Sequence, residues 1–316
     1  MRQSAFTVVC AVSVLAALAP PAAHADSTDF SGQIHAYHTM QPSSNTLQAE
    51  LLGNTTLGTV NLHAGATMQA QQGDEAPGIT PSRFNEAYAQ GSAVGWLWSA
   101  GKRVVAWDVG YGFRPNDMVQ QEVRRTLVPE PLEGRPLLMA ERFDADTAWS
   151  VVWVNPTQEA FATGAQEAAL AARAYWHSGA VDWHVFARQG ERSGASLGIA
   201  ASWVASDALE LHASVRGDQQ LIGGTWTNTQ QISLLVEAWP KNVYARVSWQ
   251  HERWQPALDV LYMPADQGVL ATASVAWTGE RVSIAMGLRA TAGPDSAVVR
   301  HMSYQRQGYV VASWPF

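Results

Sequence analysis

From Val60 the even positions read Val60, Leu62, Ala64, Ala66 and Met68, and the odd ones between them Asn61, His63, Gly65, Thr67 and Gln69. The same two-residue period returns at Val181, Trp183, Val185 and Ala187 against Asp182, His184, Phe186 and Arg188. It recurs at Val243–Trp249 and again at Val282–Leu288. Successive side chains of a strand point to opposite faces, so each stretch has one apolar and one polar face. The segments run ~9–12 residues, the length a tilted strand needs to cross hydrocarbon. Between them Pro240-Lys241-Asn242, Thr278-Gly279-Glu280 and Ala205-Ser206-Asp207 carry turn chemistry. The pattern predicts an all-β fold, a single closed antiparallel transmembrane β-barrel of roughly 14–18 strands, the number being even.

The start of the chain reads differently. Arg2 precedes an apolar run from Ala5 to Ala19, Pro20 and Pro21 break it, and Ala23-His24-Ala25 has the small-x-small form of a cleavage site. Residues 1–25 are therefore expected to be a cleaved signal peptide and residues 26–316 the barrel. Arg2 is the signal's only charge, so the formal net charge of −7 becomes −8 on its removal. The one cysteine, Cys10, lies in the removed part, so the exported chain must hold together without disulfides.

Composition narrows the class further. Beyond residue 25 no apolar run is long enough for a membrane helix. The twenty basic residues include only Lys102 and Lys241 as lysines and form no basic run, which leaves nucleic acid without an electrostatic footprint. A polar face of small residues, arginine and glutamine suits a wet lumen better than a lysine-coated soluble surface. Fourteen tryptophans are many for this length, and Trp176, Trp239, Trp277 and Trp314 fall at strand ends, where aromatic girdles meet lipid headgroups.

The last alternating stretch, Val310, Ala312, Trp314 and Phe316, resembles the C-terminal signal of Gram-negative outer-membrane barrels, although Pro315 departs from the usual pattern. That resemblance implies outer-membrane lipid as the surroundings and the barrel-insertion machinery as a partner, reached through Phe316. The strand Gly101-Lys102-Arg103-Val104-Val105-Ala106-Trp107, followed by Gly110 and Pro115-Asn116-Asp117, resembles a segment of uncharacterised outer-membrane porin-like proteins. Asp108 stands where glycine would be usual there.

Alternation stops between about residues 109 and 140. Four prolines and charges of both signs make this a long irregular loop, and Tyr111, Phe113, Met118, Val119, Leu127 and Leu132 give it enough apolar surface to pack. We expect it to fold into the lumen and narrow it. The candidate constriction residues are Arg114, Asp117, Glu122, Arg124, Arg125, Glu130, Glu133 and Arg135; the expected lumen-facing arginines are Arg173, Arg188, Arg216, Arg246, Arg281 and Arg289. Loop carboxylates facing wall arginines would set up a transverse field that sorts polar solutes. The same arginines could instead pair with Glu167, Asp182, Glu210 and Glu237 on neighbouring strands and simply fill the interior.

Other motifs carry less. Gly194-Ala195-Ser196-Leu197-Gly198 matches the nucleophile-elbow pattern but opens an alternating stretch, where that motif needs a sharp strand-to-helix turn. His35 and His38, His251-Glu252-Arg253, and Asp144 with Asp146 lack the ligand count of a metal site. No phosphate loop and no zinc signature occur. No cofactor, metal or catalytic residue is therefore expected. The leading expectation is an outer-membrane channel for a small polar solute. A conduit or accessory barrel of an export or surface-assembly system, with a periplasmic partner, is an alternative, and an outer-membrane hydrolase is another.

Overall fold

The computed structural model describes residues 27–74, 78–121, 126–128, 130–160 and 166–316. The expected signal peptide lies outside them. Eighteen strands follow in chain order. The first six are β1 (Ser27–Met40), β2 (Ser44–Leu57), β3 (Val60–Gly73), β4 (Gly78–Ala93), β5 (Trp96–Arg103) and β6 (Arg135–Phe143). Next come β7 (Thr147–Val154), β8 (Ala169–Ser178), β9 (Val181–Gly190), β10 (Gly194–Ser206), β11 (Leu209–Arg216) and β12 (Gln219–Thr227). The last are β13 (Ile232–Trp239), β14 (Asn242–Trp249), β15 (Trp254–Met263), β16 (Gly268–Thr278), β17 (Ser283–Ala292) and β18 (Arg306–Pro315). Each pairs antiparallel with its chain neighbours, and β1 pairs with both β2 and β18. The sheet closes on itself, so no strand is left at an edge.

The alternation read in the sequence decides which face is which. On β3 the polar set Asn61, His63, Thr67 and Gln69 faces inward, and Val60, Leu62 and Met68 face out, as the hydrogen bond from Asn85 to Thr67 and the ring contact of His63 with Tyr88 show. Outside, apolar side chains stand unburied: Leu197 and Phe30 are each 72% exposed, Ile222 67% and Leu288 65%. A wall of this kind is unsuited to water and suited to hydrocarbon.

The two ends of the barrel differ. At the end where β1 begins and β18 finishes, the connections 58–59, 94–95, 144–146, 179–180, 207–208, 228–231, 250–253 and 279–282 are two to four residues each. Gly179 takes φ 65° in one of them, a left-handed conformation that a two-residue hairpin turn needs and other residues resist. The opposite end carries the long connections, 104–134, 155–168 and 293–305. All three long connections fall at this end, but its other six, 41–43, 74–77, 191–193, 217–218, 240–241 and 264–267, are as short as those opposite.

Eleven of the fourteen tryptophans stand on the outer face within three residues of the short-turn end. They include Trp149, Trp176, Trp183, Trp203, Trp226 and Trp249, and the pairs Trp176–Trp183 and Trp254–Trp277 bring rings together across neighbouring strands at 6.3 and 6.5 Å. Trp239, expected in the girdle, turns inward instead. It stacks on Phe113 at 5.4 Å, because its parity on β13 is that of Glu237 and Leu235, which meet the inner loop.

Candidate functional site

The loop begins after Arg103, ends before Arg135, and these two residues face each other across β5 and β6. It is therefore residues 104–134, and alternation resumes at Arg135, a few residues earlier than the sequence suggested. The loop folds inward. Val105, Trp107, Met118 and Val119 pack with Leu137 and Met139 of β6, Val152 and Val154 of β7, Ala169 and Ala171 of β8, and Phe186 of β9. This sector of the inner wall is apolar, in contrast to the wet lining the composition suggested, because the loop covers it. Burying each large side chain there stabilises the docked loop by about 1.5–3 kcal/mol.

Polar contacts fix the loop farther round. Asn116, fully buried, donates through Nδ2 to Ser214 Oγ at 2.8 Å on β11, to Val215 O at 3.2 Å and to Ile199 O at 3.3 Å on β10. Gly198 makes room for it: a Cβ at that position would collide with Asn116 Oδ1. On β13, Glu237 accepts the backbone N–H groups of Tyr111 at 2.6 Å, Gly112 at 2.7 Å and Phe113 at 3.2 Å. His212 Nε2 completes the set at 3.0 Å. A side chain on residue 112 would press against Glu237 and Tyr244, so glycine permits this approach. Phe113 then closes a second apolar cluster with Leu221, Leu235 and Tyr244. Across the barrel Leu127 and Val128 pack against Tyr37, Tyr309 and Val311, and Arg289 Nη2 donates to Thr126 O at 3.2 Å. The loop therefore spans the lumen from β5 and β6 to β10–β13 and to β17, β18 and β1.

Two carboxylates hold the first half of the loop in shape. Asp117 Oδ1 accepts the N–H groups of Trp107 at 3.1 Å and Asp108 at 3.2 Å, and its Oδ2 meets Arg114 Nε at 3.0 Å. Asp108 accepts Asn116 N–H at 2.5 Å, Val109 N–H at 2.8 Å and Ser214 Oγ–H at 2.6 Å. Burial pushes Asp117 up to about 6 against the opposing pull of Arg114, and pushes Asp108 up as well. Glu167, in the connection before β8, goes the other way. Burial alone would raise it, but the Ser193 hydroxyl, the N–H groups of Ser193 and Arg192, and Arg188 outweigh that and hold it at about 2.

The other residues expected in the constriction fall in several places. Glu133 binds Lys102 Nζ at 2.6 Å, Glu130 is exposed, and Arg135 is buried at the start of β6. Glu122, Arg124 and Arg125 lie outside the described residues. Of the arginines, Arg188 pairs with Glu167 at 2.9 Å and Arg246 with Asp259 at 2.9 Å. Arg216 donates to Pro115 O at 3.3 Å and Ser196 Oγ at 3.1 Å, and Arg289 also reaches Thr272 Oγ1 at 3.0 Å. Arg173 faces inward beneath Trp107. Arg281 is not on a strand: it is exposed in the 279–282 turn, because β17 starts only at Ser283. Asp144 likewise sits in the turn after β6.

Ser196 lies on a strand, β10, with no helix after it, so the nucleophile-elbow geometry is not formed. His35 and His38 point to opposite faces of β1. His35 Nδ1 meets Ser313 Oγ at 2.8 Å and its Nε2 lies 3.6 Å from Glu50, a serine–histidine–carboxylate line that sequence reading did not single out. All three sit on paired strands, where neighbouring backbone N–H groups serve the ladder rather than an oxyanion.

A closed eighteen-strand barrel with an apolar exterior and a long connection folded inside has the architecture of the outer-membrane porin class. Among solved structures, Pseudomonas aeruginosa OprD superposes with a TM-score of 0.63 at 7% identity, over 92% of this chain and 95% of that one. Wzi of Escherichia coli, an outer-membrane protein involved in group 1 capsule assembly and described as a carbohydrate-binding β-barrel, gives 0.62 at 11% identity, over 98% and 87%. Salmonella typhi OmpF gives 0.53 at 10% identity, over 92% and 97%. At these identities the likeness is one of fold. No protein-family model matches the chain, and no curated protein is significantly similar to it in sequence.

Proposed function

We propose that the protein is an outer-membrane channel that passes a small polar solute through a lumen narrowed by residues 104–134. The observation that carries this reading is the fixing of the loop at widely separated points of the inner wall, Asn116 on Ser214 and Glu237 on residues 111–113 among them. Such a loop occupies part of the cross-section while it is docked. In this reading the path would be lined by polar groups of the inner wall, among them His35 with Glu50 and Tyr88 beneath Arg103. Selection would rest on width and on charged groups held close to the path. The exposed apolar exterior and the tryptophan belt support placement in the outer membrane, with lipid around the barrel and insertion assisted through Phe316. Swelling of liposomes containing the refolded protein tests this: small neutral polyols should enter and larger sugars should not, and equal exclusion of both would refute the channel.

A second reading has a specific support. The loop crosses to β17, β18 and β1, and the likeness to Wzi covers 98% of the chain. An accessory barrel of a surface-assembly system, acting with a periplasmic partner, would show neither conductance nor swelling.

A further inference from the structure

On the outer wall a groove of about 430 Å³ interrupts the apolar surface near the short-turn end, with Trp96, Arg142, Asp144, Trp149, Val151 and Val185 around it. Glu141 turns inward to Ser150, so Arg142, next along β6, points out. Arg142 pairs across the strands with Trp149, and Trp96 precedes Leu97, the partner of Glu141, so an indole flanks the guanidinium on each side. Trp149 and Val151 of β7 pair with Ala174 and Ala172 of β8, which on their other side meet Val185 and Ala187 of β9. Two alanines between taller neighbours thus make the floor, and the groove follows β8.

A charged pair stands at one end of it. Arg142 Nη2 lies 3.7 Å from Asp144 Oδ1, too far for a hydrogen bond, and the two side chains are 52% and 53% exposed. Asp144 is held from its other oxygen: the Thr147 hydroxyl reaches Oδ2 at 3.4 Å, and the Asp144 N–H donates to Thr147 O at 2.8 Å. Both charges sit within the tryptophan belt, at the level where headgroups meet a barrel wall. Charges there are screened less than in bulk water. In hydrocarbon an apolar groove gains nothing from the hydrophobic effect, so any selectivity must come from this charged end.

We infer that this groove binds one phospholipid with an ethanolamine headgroup, its phosphate on Arg142, its ammonium on Asp144 and an acyl chain over Ala172 and Ala174. The planar guanidinium fork matches phosphate oxygens, and the carboxylate answers the ammonium. A headgroup carrying both charges a few bonds apart satisfies both residues at once, whereas a purely anionic one leaves Asp144 facing like charge. A second copy of the chain laid over the groove would have to strip water from both charges without such a match. The inference rests on the placement of the barrel in the outer membrane and is independent of whether the lumen conducts.

Native mass spectrometry of the refolded barrel tests it, after incubation in detergent with equal amounts of phosphatidylethanolamine and phosphatidylglycerol of the same chain length. The wild type should retain a single lipid, predominantly phosphatidylethanolamine. Arg142→Gln should cut retention of both lipids about tenfold, the worth of a charged hydrogen bond. Asp144→Asn should abolish the preference while leaving binding. Ala174→Leu, which fills the floor, should also lower retention, and Ala238→Leu, on the outer face of β13, should not. Heat-dependent gel mobility confirms that each variant is folded. No retained lipid on the wild type, equal retention of the two lipids, or undiminished retention by Arg142→Gln would each overturn the site, as would lipid-free particles of two or three chains. A barrel that conducts but retains no lipid would leave the channel reading standing without the site. One that retains phosphatidylethanolamine but does not conduct would leave the site standing without the channel.

Discussion

Asn116 of the inner loop donates to Ser214 of β11 at 2.8 Å, and both side chains are fully buried. The bond joins the loop to a strand on a distant part of the wall, and the Ser214 hydroxyl donates in turn to Asp108 at 2.6 Å. Replacing Asn116 with alanine removes its donated contacts to Ser214 Oγ, Val215 O and Ile199 O. The cost to docking should be about 1–3 kcal/mol. Chymotrypsin cleavage after Phe113, which is buried in the docked loop, should appear in Asn116→Ala, and unchanged protection would count against the latch. Gly198→Ala should act in the same direction through collision rather than a lost bond.

Glu237 organises the loop tip more strongly, since one carboxylate answers three backbone N–H groups and His212. Glu237→Ala strands all four in a dry site and should destabilise the folded barrel by about 3 kcal/mol. Glu237→Gln keeps one acceptor oxygen and should lose less. The midpoint of heat-induced mobility change on a detergent gel reads both. Equal midpoints for the wild type and the alanine variant would refute the role.

Loop docking should depend on pH through Asp117. Its value in the docked loop, about 6, lies above the ordinary aspartate value of 3.8, so the docked state holds the proton more tightly than a freed loop does. Docking is then favoured at low pH and weakens as pH rises between about 4 and 6, with little further change above. Asp108, raised in the same direction, adds to the trend. Chymotrypsin protection at Phe113 should be greater at pH 5 than at pH 7.5 once the protease's own pH dependence is corrected, and Asp117→Asn should flatten the difference. Greater protection at the higher pH would contradict the assignment.

The tryptophan belt makes a separate prediction. With eleven indoles at one end of the outer wall, lipids brominated near the headgroup should quench most of the protein's fluorescence. Lipids brominated near the chain ends should quench little. The reverse order would place the barrel differently in the bilayer.

Much of this was legible in the residues. Alternation at Val60–Met68, Val181–Ala187 and Val243–Trp249 assigns inside and outside correctly because a strand's period is a local property. The loop was visible as the place where the period fails. Its anchors were not, because Asn116 meets Ser214, and Gly112 meets Glu237, only through a register that runs round many strands. Nothing near Glu237 in sequence distinguishes a loop anchor from a carboxylate that fills the interior. Gly198 illustrates the same limit: its spacing to Ser196 suggested an enzyme motif, whereas its role is to leave space for Asn116. Trp239 sits at a strand end like its eleven girdle relatives, and only the parity of β13 turns it inward.

The most direct test of the loop-narrowed channel is single-channel conductance in a planar bilayer, comparing the intact protein with a variant in which residues 108–132 are replaced by a short glycine–serine turn. A steady, small conductance that rises severalfold on removal of the loop is the predicted result. The same conductance in both, or none in either when folding and insertion are confirmed by heat-dependent gel mobility, would contradict it.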